Sequence, residues 1–215
     1  MKTLLLIGAG RFGRHIARKM SELGHEIMVV DRDEKHIQDV MPYVTNAVIG
    51  DSTDEKFLQS LGVSNYDVCI CAIGNNFQAS LETTSLLKEL GGKLVIARSS
   101  RDVHEKFLLR NGADEVVYPE KQMGEWTAIR YSSDKIKGYT NLDGEFALYE
   151  MRVPAEWYGK TVLDVDVRKQ YNINILAIKK DRKIQEIAMP NTVFDKDEIV
   201  LVLGRNEDIV KCFKL

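Results

Sequence analysis

Four apolar residues, Leu4-Leu5-Leu6-Ile7, run directly into Gly8-Ala9-Gly10-Arg11-Phe12-Gly13, and this junction constrains the fold more than any other stretch of the chain. A helical pattern follows at once, with Phe12, Ile16, Met20 and Leu23 recurring every three or four residues and Gly24-His25 closing it. A second apolar run, Ile27-Met28-Val29-Val30, then ends on Asp31. Strand, G-x-G-x-x-G loop, helix, strand and terminal acid form a unit with one physical logic. Gly8 turns the chain sharply, Gly10 lets a phosphate reach the backbone, and Gly13 lets the helix lie close to the strand. The helix N-terminus presents unpaired N–H groups and partial positive charge. Asp31 accepts hydrogen bonds from ribose hydroxyls and repels a 2′-phosphate, which favours NAD over NADP.

The same alternation continues. Apolar segments at 47–49, 68–72, 94–97 and 115–118 alternate with helical segments at 54–61, 77–90 and 103–110. Strands that read as unbroken apolar runs between helices imply a parallel sheet covered on both faces, a Rossmann-like doubly wound α/β fold. The carboxyl ends of such strands line the ligand crevice, which adds candidates beyond the loop. Arg32 follows Asp31. Asp51 and Ser52 follow the third strand, where Asp51 reads either as a contact to the base or as a helix N-cap. Ala72, Ile73 and Gly74 end the fourth strand, and Arg98 ends the fifth. Arg11, inside the loop, reads either as a phosphate ligand or as a solvated first-turn residue.

The rhythm changes near Ser132-Ser133-Asp134-Lys135 and Gly138, which read as a linker. Residues 1–133 are expected to form the nucleotide-binding domain, and 134–215 a small α+β domain. That second domain has strands at 146–153, 173–178 and 199–203, a turn at Lys179-Lys180-Asp181-Arg182, and a helix at 208–213. A unit of that size has a limited core and gains from pairing with a second copy.

Several function classes find no support. Thirty basic and 32 acidic side chains leave a net charge of −2, without the footprint of a nucleic-acid binder, and no helix-turn-helix with a basic face is apparent. No apolar run approaches the ~18 residues that span a bilayer. Met1-Lys2-Thr3-Leu4 enters a strand without a signal-peptide pattern, so the cytoplasm is the expected compartment. Cys69 and Cys71 alternate on one strand and, with Cys212, read as small buried hydrophobes. His15, His25, His36 and His104 fall in no catalytic motif and read as surface or packing residues. Tyr131-x-x-x-Lys135 has a dehydrogenase-like spacing but lies in the linker. The expectation is a non-catalytic binder, with an NAD-dependent oxidoreductase as the alternative.

Leu6-Ile7-Gly8-Ala9-Gly10-Arg11-Phe12-Gly13, Gly24-His25-Glu26, Val29-Val30-Asp31, Gly50-Asp51-Ser52-Thr53, Cys71-Ala72-Ile73-Gly74, Gly112-Ala113-Asp114 and Tyr118-Pro119-Glu120-Lys121-Gln122-Met123-Gly124 resemble the regulatory subunits of Trk/Ktr potassium transporters, which carry regulator-of-potassium-conductance (RCK) domains. Val162-Leu163-Asp164-Val165-Asp166-Val167-Arg168 and Ile175-Leu176-Ala177-Ile178 extend the likeness into the second domain. The resemblance implies a cytoplasmic gating subunit, peripheral to the inner face of the membrane, whose dimers assemble into an octameric ring under a potassium-translocating subunit. It implies binding of ATP, ADP or NAD(H), with Arg11 reaching the outermost phosphate of ATP, Arg98 contacting phosphate, and Glu120 helping to hold Mg2+ or Ca2+ beside the nucleotide. Some relatives bind cyclic di-AMP in the second domain, where Arg168, Val162 and Leu163 would serve, or would form an ordinary dimer interface.

Overall fold

The computed structural model describes every residue except Arg182, and the chain divides into two compact units, Met1–Lys121 and Gln122–Leu215. The division falls in the first turn of a helix, Pro119–Tyr131, whose far end lies near the boundary expected at residue 133.

The first unit alternates strand and helix throughout. Its elements are β1 (Thr3–Ile7), α1 (Arg11–Glu22), β2 (Glu26–Asp31), α2 (Glu34–Val40), β3 (Asn46–Ile49), α3 (Glu55–Ser60), β4 (Val68–Cys71), α4 (Phe77–Glu89), β5 (Val95–Arg98), α5 (Asp102–Arg110) and β6 (Glu115–Val117). The strands pair in parallel in the order β3-β2-β1-β4-β5-β6. This is the doubly wound order, and the strand sequence reverses direction between β1 and β4. Alternate side chains of each strand enter opposite cores. Leu5, Ile7, Val30, Cys69 and Cys71 pack on one face, while Leu4, Leu6, Val29, Val68 and Ile70 pack on the other. Both faces are apolar because helices cover both, which is why these strands read as continuous apolar runs.

α6 (Pro119–Tyr131) leads into the second unit, which holds β7 (Ile136–Asn141), β8 (Phe146–Arg152), α7 (Val162–Val165), α8 (Val167–Tyr171), β9 (Asn174–Lys180), β10 (Lys183–Ile187), β11 (Ile199–Arg205) and α9 (Asn206–Phe213). Its strands pair antiparallel in the order β10-β9-β11-β8-β7. Trp157 anchors its core, with ring centroids 5.3 Å from both Phe194 and Phe213. The sequence reading has no strand at β10 and no helix at α7 or α8, and two further segments differ from it. The expected linker continues into β7, where Gly138 faces Glu150 beside a register shift, so the glycine marks a bulge and not a break. The expected turn is shorter, because Lys179 and Lys180 belong to β9 and Asp181 alone takes a left-handed φ of 49°; Arg182 of that turn lies outside the described residues. Among the described residues no helix is long and apolar enough to cross a membrane.

All three cysteines are free and buried. Burial pushes the Cys69 thiol up to about 11 and the Cys212 thiol up to about 12, and raises Cys71 as well. A thiol held protonated is a poor nucleophile. The folded protein is expected to leave a thiol-specific disulfide reagent unreacted at mildly alkaline pH, and the denatured protein to release three equivalents. Fast reaction of any native thiol contradicts this packing.

Candidate functional site

The site is built on the turn from β1 into α1. Gly8 leaves the strand at φ +96°, and its N–H donates to the Val30 carbonyl at 2.7 Å. α1 begins so close to this turn that a Cβ on Gly13 would stand 1.9 Å from the Gly8 carbonyl oxygen. Only glycine permits that approach. Gly10 is the N-cap and meets the opposite condition, since a Cβ there would touch nothing within 4 Å. It makes no side-chain cap, and no acidic residue stands in the first helical turn. The N–H groups that a helix cannot pair internally are therefore left for an anion.

These groups open on a cavity of about 480 Å3 at the carboxyl ends of the central strands, within the usual size of a small-molecule site. Gly8, Gly10, Arg11 and Phe12 line it from the loop, and Asp31 and Arg32 from the end of β2. Asp51 and Ser52 follow β3, Ala72, Ile73 and Gly74 follow β4, Arg98 ends β5, and Glu120 opens α6. Gly13 is absent from the lining because its place is the packing contact beneath the loop.

Asp31 ties three segments together. Its Oδ2 accepts the Ala9 N–H at 2.7 Å and lies 3.2 Å from His36 Nδ1, while its Oδ1 accepts the Asp33 N–H at 2.9 Å. The acid thus fixes the glycine loop as well as facing the cavity. Asp51 accepts the backbone N–H of Thr53 at 2.9 Å and its hydroxyl at 2.8 Å. Those two bonds, the backbone one foremost, hold its carboxyl below the usual range. Asp51 does not cap α3; Asp54 does, accepting from Lys56 and Phe57. The Ser52 hydroxyl is buried against the Thr83 hydroxyl at 2.8 Å.

Arg98 is the least satisfied polar group in the cavity. Its guanidinium pairs with Glu120, lies 5.5 Å from the Phe12 ring centroid, and fills the space a side chain at Gly74 would need. Its Nε is buried and has no hydrogen-bond partner among the described residues. An unpartnered buried donor costs about 1–3 kcal/mol, and an anion removes that cost. Arg11 is exposed and enters no ion pair among the described residues. Loop donors, Arg11 and Arg98 fit phosphates at one end, and Asp31 fits a sugar hydroxyl at the other. A divalent cation fits less well on this chain alone, because Glu120 is paired and no group of three potential ligands occurs among the described residues.

Among the lining residues that the sequence reading did not name as site residues are two histidines, His15 and His36. Each signal was present. His15 sits one turn beyond Arg11 on α1, and His36 sits in the first turn of α2, five residues after Asp31.

Residues 4–119 match the TrkA-N domain and residues 148–214 the TrkA-C domain. The chain belongs to the TrkA family. It is 40% identical over 208 residues to the Ktr system potassium uptake protein C of Bacillus subtilis (strain 168), covering 97% of this chain and 94% of that one. Its fold is that of RCK domains. The GsuK RCK domain matches with a TM-score of 0.69 at 19% identity, across 100% of this chain and 47% of that one. The GsuK channel bound to NAD matches with a TM-score of 0.71 at 18% identity, covering 98% of this chain and 38% of the channel's.

The two inner glycines separate stability from binding. Gly13→Ala forces a methyl onto backbone and is expected to destabilise the protein by about 2–3 kcal/mol or more, read as a lower Tm or denaturation midpoint. Gly10→Ala, at φ −62° and ψ −174° with open space around it, is expected to leave Tm unchanged or slightly raised. Equal loss in both variants contradicts the packing described.

Proposed function

We propose that this protein is a cytosolic regulatory subunit of a Ktr/Trk-type potassium-uptake system. It binds ATP, ADP or NAD(H) in the cavity of its first unit and controls a membrane potassium-translocating subunit through the ring that its dimers form, an octamer. The observation that carries this reading is the cavity at the strand ends, lined by the uncapped first turn of α1, by Arg11 and by Arg98, the last with a buried Nε that has no hydrogen-bond partner among the described residues. Membership of the TrkA family and 40% identity to a Ktr potassium uptake protein support the potassium context.

The phosphates lie on Gly8, Gly10 and the N-terminus of α1, the ribose at Asp31 and the adenine near Asp51 and Ile73. Arg11, exposed at the rim, reaches the terminal phosphate of ATP from its own or a neighbouring subunit. Arg98 turns its free Nε to phosphate. Mg2+ or Ca2+ joins the site only together with the nucleotide, with Glu120 leaving Arg98 for the cation as Arg98 is drawn to phosphate. Cyclic di-AMP, if it binds, takes Leu163 and Arg168, both exposed on α7 and α8 of the second unit. The role is non-catalytic. Asp31 is engaged by the loop it holds and Asp51 by Thr53, so neither acid stands free to move a proton for an oxidoreductase.

Calorimetric titration with ATP, ADP, NAD and NADH tests the binding, and light scattering tests the ring. Arg11→Ala is expected to weaken ATP by about threefold and ADP far less, a difference of about 0.65 kcal/mol, within the range of one exposed charge pair. Gly10→Ala is expected to weaken all four ligands. Equal losses for ATP and ADP in Arg11→Ala contradict its discriminating role, and a monomer or dimer that turns over NAD with a reducible substrate favours an oxidoreductase instead.

A further inference from the structure

His36 lines the cavity and touches a residue that the proposed ligand also needs. Its Nδ1 lies 3.2 Å from Asp31 Oδ2, and its side chain is 38% exposed. Asp31 also accepts Ala9 N–H on Oδ2 and Asp33 N–H on Oδ1. An ionised carboxylate offers about four acceptor sites. The Ala9, Asp33 and His36 contacts occupy all but the last, which lies on Oδ1. Asp31 is thus able to accept one hydrogen bond from a ligand hydroxyl, beside an Oδ2 that already faces His36 Nδ1.

We propose that His36 is the positioning residue of the ribose end of this cavity and that its protonation tightens nucleotide binding. The proposal rests on the nucleotide reading above. Neutral imidazole carries one N–H, and the tautomer with a bare Nδ1 sets a lone pair against Asp31 Oδ2. Imidazolium donates from both nitrogens, so the bond to Oδ2 is always made and is charge-assisted. The same proton adds one positive charge to the wall of a cavity that receives phosphates. Both effects strengthen binding as pH falls.

The charged groups around His36 come from every element packed on α2. The end of β2 brings Asp31 and Arg32, the loop after β3 brings Asp51, α1 brings Arg11, Arg14 and His15, and the turn after α2 brings Tyr43. α2 itself carries Glu34, Lys35 and Asp39, the last paired with Arg14. Asp51 is held ionised by its bonds to Thr53. Histidine is the side chain that ordinarily changes charge between pH 5 and 8. His25, a histidine outside the cavity lining, is therefore the control.

The test is calorimetric titration of the full chain with NAD, whose phosphates stay ionised, from about pH 6 to about pH 8. The wild type is expected to bind about fivefold or more tighter at the acid end. His36→Gln is expected to bind weakly at every pH, and His36→Lys, which carries a fixed charge, tightly at every pH. His25→Gln is expected to keep the wild-type slope. The wild type takes up protons on binding, seen as heats that vary with the ionisation enthalpy of the buffer, and His36→Gln does not. A wild-type slope in His36→Gln, or loss of the slope in His25→Gln alone, overturns the assignment to His36. Failure of the wild type to bind NAD, ATP or ADP at any pH removes the nucleotide reading itself.

Discussion

The contact between α1 and the β1 turn, where Gly13 lies against the Gly8 carbonyl, sets the packing of the first unit. The N-cap of that helix, Gly10, offers no side chain, although the space around it is open. The first-turn N–H groups are thus left uncapped beside the point where the strand order reverses between β1 and β4. Two glycines, one forced by packing and one free of it, set the fold and the anion-seeking end of the site. Asp31 reinforces this arrangement from the other side, because its bond to Ala9 N–H ties the loop to β2.

The cavity is electrostatically uneven along its length. Toward Asp31 and Asp51, acceptors are already supplied with backbone donors, and little free hydrogen-bonding capacity remains. Toward Arg98 and the start of α1, donors outnumber acceptors, and one buried donor has no partner among the described residues. A ligand that complements both ends is anionic at one end and hydroxyl-bearing at the other. Adenine nucleotides and dinucleotides have that polarity. A 2′-phosphate at the Asp31 end opposes it.

The sequence made the first unit legible because its strands are buried on both faces and its loop chemistry is local. Gly8, Gly10 and Asp31 act within one strand–helix–strand unit, so spacing alone identifies them. Other features depend on tertiary neighbours. Nothing local marks β7 as a strand, since Gly138 is tolerated only by the bulge opposite β8. β10 is exposed along its whole length and carries no burial pattern to read. His36 gains its meaning from Asp31, which precedes it by five residues and lies on another element. Asp51 is a case in which local chemistry pointed two ways, and the structure gives the cap to Asp54. The unpartnered state of Arg98 follows from Gly74, Phe12 and Glu120 converging on it from three separate segments.

A ring built on this site need not distinguish ATP from ADP strongly in any one subunit. Moving a two-state equilibrium from 1:99 to 99:1 takes a preference of about 10^4-fold. Eight coupled sites multiply their individual preferences, and about threefold per site, raised to the eighth power, comes to roughly 10^4. Threefold corresponds to about 0.65 kcal/mol. That is the range of an exposed charge pair, which contributes about 0.2–1 kcal/mol. Arg11 is an exposed residue at the cavity rim, with no ion pair among the described residues to hold it back. In the proposed octamer, its exposure suits a residue whose small contribution is repeated around the ring, while the deeper groups, Arg98 and the first turn of α1, supply the affinity that ATP and ADP share.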